Sequence, residues 1–198
     1  MDNKAMNKLS YGLYVLSSKD EKDNACISNT VIQLTSSPNR ISVALNKQNY
    51  THDMIQKSGV FNVSVLDQTT PFELIQNFGF QSGRTVDKFQ NIPFERSANG
   101  LVYIPDNTNA YLSAKVFSTV DLGTHTLFLA DLLDAEVLSD KESLTYSYYF
   151  QHIKKSASTT KKGYRCKICG YIYEGEPLPP DFICPVCKHG AVDFEKII

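Results

Sequence analysis

Near the C-terminal end of this 198-residue chain stand four cysteines in two Cys-x-x-Cys pairs, Cys166 with Cys169 and Cys184 with Cys187. A two-residue gap lets each pair wrap around a metal ion and offer two sulfurs, and two such pairs complete a tetrahedron. Zinc and iron both accept that donor set, and the spacing does not separate them. A segment this short buries too little apolar surface to fold unaided, so the metal would also act as its staple. Four thiolates leave no open position for a substrate, so an iron ion held this way can only pass electrons, one at a time.

A second set of residues is polar and falls at strand and helix ends. Ser28, Asn29 and Thr30 follow one strand, Asn46, Lys47 and Thr51 stand at a strand-to-helix junction, and Ser82-Gly83-Arg84 precedes Lys88. Short hydroxyl and amide side chains, a permissive glycine and two cations can make hydrogen bonds and pair with anions, and a helix start at Thr51 would add a favourable seat for phosphate. Taken singly, each of these residues also has a plain reading as a turn residue, a helix cap or a surface charge. Cys26 has no cation or base beside it in sequence and is expected to be a small packing residue. His52, His152 and His189 are expected at the surface, and His125 inside an otherwise apolar strand.

The elements that must hold these groups read as mostly strands. Alternation of apolar and polar residues marks Ile41-Ser42-Val43-Ala44-Leu45 and Phe61-Asn62-Val63-Ser64-Val65, and runs rich in β-formers extend from Tyr111 to Val120 and from Thr126 to Leu138. Strands at this spacing predict a barrel. Two short helices interrupt them and are expected to close its openings. One starts at Thr70-Pro71-Phe72-Glu73, read as a capping box with Gly79 at its end, and the other starts near Thr51 and stops at Gly59. A polar Ser/Thr/Lys-rich stretch divides the chain into a domain over 1–153, a linker over 154–163 and a small domain over 164–198.

Formal net charge is -1 and the lysines are scattered, which speaks against nucleic acid. No apolar stretch approaches the roughly 20 residues that span a bilayer, and the first residues lack signal-peptide order, so no membrane and a cytoplasmic location are expected.

Two resemblances sharpen these readings. The tail from Gly163 to Ile198, with Cys169-Gly170-Tyr171-Ile172-Tyr173 and Asp181-Phe182-Ile183-Cys184-Pro185-Val186-Cys187, resembles rubredoxin in the shortened form of rubrerythrin-type proteins, which implies iron, with zinc as the alternative. The longer part, through Ala25-Cys26-Ile27-Ser28-Asn29-Thr30, Asn46-Lys47-Gln48-Asn49-Tyr50-Thr51-His52, Ser82-Gly83-Arg84 and Gly123-Thr124-His125, resembles the flavin-reductase-like family. That resemblance implies a mainly β FMN-binding split barrel with short helices, a homodimer, the backbone of Ala25 and Cys26 beside the flavin ring, and His125 near the flavin. The residue sets at 28–30, 46–51 and 82–88 would then hold the ribityl and phosphate groups.

The combination resembles the high-molecular-weight rubredoxins. It implies an oxidoreductase that takes hydride from NADH or NADPH onto FMN and passes single electrons through the four-cysteine iron to a protein acceptor such as a flavodiiron protein. No Gly-x-Gly-x-x-Gly nucleotide fingerprint occurs, so the nicotinamide donor rests on resemblance alone. The competing readings are a flavin or ferric reductase carrying a zinc-ribbon docking module, and an FMN-storing protein without turnover.

Overall fold

The computed structural model describes residues 3–154, 163–168, 170–185 and 189–197. The strands are β1 (Tyr14–Lys19), β2 (Asp23–Ser28), β3 (Ile32–Ser36), β4 (Asn39–Asn46) and β5 (Val60–Leu66), with helix α1 (Tyr50–Ser58) between the last two. Helix α2 (Phe72–Gly79), the short pair β6 (Glu95–Arg96) and β7 (Val102–Tyr103), and the long strands β8 (Thr108–Asp121) and β9 (His125–Val137) follow. Seven strands form one antiparallel sheet in the order β2-β1-β5-β8-β9-β4-β3. Register shifts near Ser113 and Val116 interrupt the β8–β9 ladder and bend it. The end strands β2 and β3 do not pair with each other among the described residues, so the barrel is split.

Period-two alternation sends neighbouring residues to opposite faces, and two apolar clusters result. Leu16, Cys26, Val43, Phe61 and Phe128 fill the barrel interior. Their neighbours Val15 and Ala25 face outward, where Leu74, Ile75 and Phe78 of α2 cover them. Burying each of these three α2 side chains stabilises the fold by about 1.5–3 kcal/mol.

Helix α1 starts near Thr51 as expected, whereas the start of α2 differs from the expectation. In α1 the N-cap is Asn49, whose side chain accepts from the Thr51 N–H at 3.0 Å, so Thr51 lies inside the first turn. Its other end follows expectation: Gly59 takes a left-handed φ of 70° and its N–H reaches the Ile55 carbonyl. The capping box at α2 does not form. The Thr70 hydroxyl donates to the Asp67 carbonyl at 2.7 Å, and Pro71 takes the cap position with no side-chain bond. The buried Asp67 organises that turn by accepting from the Thr69 N–H, a local alternative that outcompetes the cap.

After a short helical segment ending at Ile153, the chain resumes as β10 (Gly163–Cys166), β11 (Ile172–Tyr173) and β12 (Phe194–Ile197), an antiparallel sheet in the order β11-β10-β12. Tyr173 and Phe194 pack their rings against Phe182 at 4.7 and 5.3 Å. Most of the expected linker, residues 155–162, lies outside the described residues.

Phe128→Ala removes a fully buried ring from the barrel interior and is expected to cost about 3–5 kcal/mol in denaturant melts. Met6→Ala, at an exposed side chain, is expected to stay within about 0.5 kcal/mol of wild type.

Candidate functional site

A cavity of about 530 Å³ opens between β2, the N-terminal end of α1, the C-terminal end of α2 and the loop after it. It brings together Cys26, Asn46, Ser82, Gly83, Arg84 and Lys88 from the sequence-predicted set. Its walls also include Asn49, Tyr50, Phe80 and Thr85, which the sequence reading did not select. The helix-cap pattern could have pointed to Asn49.

Each of the polar groups is tied down. The Arg84 guanidinium donates to Asp53 and lies 4.6 Å over the Tyr50 ring. Partial burial would raise the Asp53 carboxyl, but hydrogen bonds from His52 and Arg84 outweigh it and hold the group below the usual carboxylate range. His52 is buried, not at the surface as expected. Its Nδ1 donates to Asp53, its Nε2 meets the Thr126 hydroxyl at 2.9 Å, and so α1 is pinned to β9. Thr51 is fully buried and accepts from Asn24 Nδ2 at 2.8 Å, behind the cavity wall. Gly83 presses on the same asparagine, since a Cβ there would sit 1.9 Å from Asn24 Oδ1.

Lys88 is 5% exposed, and its Nζ donates to the Ala25 carbonyl at 3.0 Å and the Phe78 carbonyl at 2.9 Å. No carboxylate is paired with it among the described residues, so burial pulls its pKa down. A buried ammonium bordering a cavity and answered only by neutral carbonyls favours an anion in that cavity. Burial also pushes the Cys26 thiol up, outweighing its bond with Thr51 and the nearby charge of Lys88. That thiol is a packing group of the cavity wall and not a ready nucleophile.

Other predicted residues are placed elsewhere. Ala25 is fully buried behind the wall and serves Lys88 through its carbonyl. Ser28 and Thr30 bond to each other at 3.1 Å, and Thr30 donates to the Ala44 carbonyl, pinning the β2–β3 turn beside half-buried Asn29. Lys47 pairs with Asp121 at 2.7 Å on the surface. His125 opens β9 instead of lying within it, with Nδ1 at 2.8 Å from the Thr124 hydroxyl. None of these lines the cavity.

In the C-terminal module Cys166 and Cys184 are buried, at 1% and 0% exposure. The Gly170 N–H reaches the Cys166 carbonyl at 2.7 Å with Gly170 at a left-handed φ of 75°, and the Cys184 N–H reaches the His189 carbonyl. Two buried thiols, each with a backbone hydrogen bond that brings the chain back beside it, are a donor set that suits a tetrathiolate ion. Cys169 and Cys187 lie outside the described residues. Pro185, next to Cys184, is one of the residues that line the 530 Å³ cavity.

Residues 6–157 match the family described as flavin reductase like domain. The chain belongs to that family. It is an oxidoreductase of the flavin reductase type, and its residues 164–195 match the rubrerythrin, rubredoxin-like domain. It is 41% identical to the high molecular weight rubredoxin of Moorella thermoacetica, with 100% of each chain covered. A ferric-chelate reductase (NAD(P)H) of Archaeoglobus fulgidus is 43% identical over 81% of this chain and 95% of that protein. Among solved structures the NADH:FAD oxidoreductase of Streptomyces globisporus shares the split-barrel fold at a TM-score of 0.67 and 19% identity, covering 73% of this chain and 86% of that one.

Because burial depresses the Lys88 pKa, the folded chain gives up this proton at lower pH than the unfolded chain does. The contribution of this group to stability therefore rises with pH up to the ordinary lysine value of 10.5. Denaturant melts between pH 8 and 10 are expected to show wild type gaining stability relative to Lys88→Met, and parallel curves would contradict this.

Proposed function

We propose that FMN occupies the 530 Å³ cavity, accepts hydride there from NADH or NADPH, and supplies electrons to an iron ion held by Cys166, Cys169, Cys184 and Cys187. The single observation that supports this most is Pro185, which carries the metal knuckle to the cavity that Arg84 and Lys88 make anion-seeking. Bound flavin supplies the conversion between a two-electron hydride and one-electron transfer. The cavity volume suits a ligand of that size.

In this reading Arg84, held by Asp53 and Tyr50, sits with Ser82 and the α1 N-terminus to receive the phosphate, and Lys88 keeps a fixed positive charge in the wall. The cysteine module then hands electrons singly to a redox protein of the flavodiiron class. A boundary between two domains in the 154–163 stretch agrees with the ends of the two family matches. Among the described residues no helix is long and apolar enough to cross a membrane.

The active form in this reading is a homodimer. β3 is exposed along its whole length, the C-terminal half of β8 presents Phe117 to solvent, and at the other end of their shared ladder the C-terminal half of β9 presents Leu133 and Val137. Exposed apolar side chains on two long strands and an open edge strand ask for a cover, and a second copy of the chain supplies one. Light scattering is expected to give twice the chain mass, and Leu133→Asp is expected to give the single mass. A wild-type chain that is monomeric at micromolar concentration would contradict the dimer.

A visible spectrum taken before and after anaerobic NADH addition tests the cofactor reading. Flavin and iron–thiolate absorption are both expected and both bleach, while Cys184→Ser keeps the flavin response and loses the iron band. Zinc in the purified protein, with no iron band, would support the docking-module alternative instead.

A further inference from the structure

We infer that the rubredoxin-like module is the lid of its own chain's flavin cavity, so that its Cys184–Pro185 knuckle and the hydride donor use one opening in alternation. The inference rests on FMN occupying that cavity. β2, the N-terminal end of α1 and the C-terminal end of α2 supply the walls through Cys26, Asn49 and Phe78, and Pro185 comes from the module. One lining residue of the cavity is thus the chain neighbour of Cys184.

The module is seated with open clefts beside it, while Lys154 lies close over Gly170. A crevice of about 710 Å³ separates α2 from the module, with Phe72 and Gln76 on one side and Tyr171 and Tyr173 on the other. A further space of about 290 Å³ lies between Phe150 and Lys154 on one side and Arg165 and Glu195 on the other. Both spaces open to solvent, and a contact between two domains that leaves such clefts is a reversible docking and not part of a core. Phe80 and Gln81 border both the crevice and the flavin cavity, so lifting the module opens the two together.

Chemistry requires the alternation. Hydride transfer breaks a C–H bond of the nicotinamide and moves both of its electrons at once, which needs the reacting atoms about 3–3.5 Å apart. With the module seated so that Pro185 lines the cavity, it takes up space that an approaching nicotinamide needs. The module carries one electron per visit, ferric to ferrous, so each hydride requires two visits, with the accompanying protons released to water and the acceptor reoxidising the iron each time.

The test locks the lid. Gln76→Cys and Glu174→Cys place thiols on exposed positions of the two crevice walls in the full-length holoprotein, and a bis-maleimide reagent bridges them. Mass spectrometry is expected to show the bridge within one chain. Reduction by NADH is expected to slow about 100-fold, the scale of losing near-attack placement. Photoreduced flavin still bleaches the iron, and iodide quenches flavin fluorescence less than in the unbridged protein. Hydride reduction at the unbridged rate, or a bridge that joins two chains, overturns the lid. A protein that purifies without flavin overturns the cavity reading instead, and the yield of the intrachain bridge, which needs no flavin, then judges the seat alone.

Discussion

One buried ammonium organises the reductase domain's working face. Lys88 draws the carbonyls of Ala25 on β2 and Phe78 on α2 toward a single point, so the outer strand and the covering helix meet at a fixed separation. Placing a cation where no carboxylate answers it is costly, and a domain of this size tolerates few such costs. The arrangement becomes favourable when an anion enters the adjoining cavity. Around it the neighbouring groups are secured twice over: Arg84 by Asp53 and Tyr50, and Asp53 by His52, which reaches across to Thr126.

The two parts of the chain are built by opposite physical means. The barrel rests on packed rings and aliphatic side chains with almost no exposure, Phe61, Phe128 and Val43 among them. The module has two-residue and four-residue strands, a small aromatic cluster, and depends on its cysteine knuckles for order. Between them lie solvent-open clefts, with Lys154 close over Gly170. In the proposed reading a cavity that holds still and a carrier that comes and goes suit a two-electron to one-electron exchange.

Much of this was legible in the sequence wherever a local rule controls the outcome. Alternation over Ile41–Leu45 and Phe61–Val65 located β4 and β5, because half-buried strands enforce period two, and the cysteine spacing marked the module. Local rules failed where two of them competed. Thr70 had the partners of a capping box, yet Asp67 offered its carbonyl closer at hand. His52 looked like surface because one residue on a short helix carries no sign of the strand that will cover it. Ser28 and Thr30 share a turn and satisfy each other, whereas the cavity is assembled from separate segments. That Pro185 and Arg84 line one cavity is a tertiary event that no spacing encodes.

The proposed electron path requires flavin and iron to share one opening within a single chain. A crystal of the holoprotein, measured at the iron absorption edge, is the decisive test. Isoalloxazine and phosphate density is expected in the cavity beside Arg84 and Lys88, with the anomalous iron peak on the cysteines of the same chain and Pro185 over the flavin. Flavin density away from those residues, or an iron peak whose nearest flavin belongs to another chain, would contradict it.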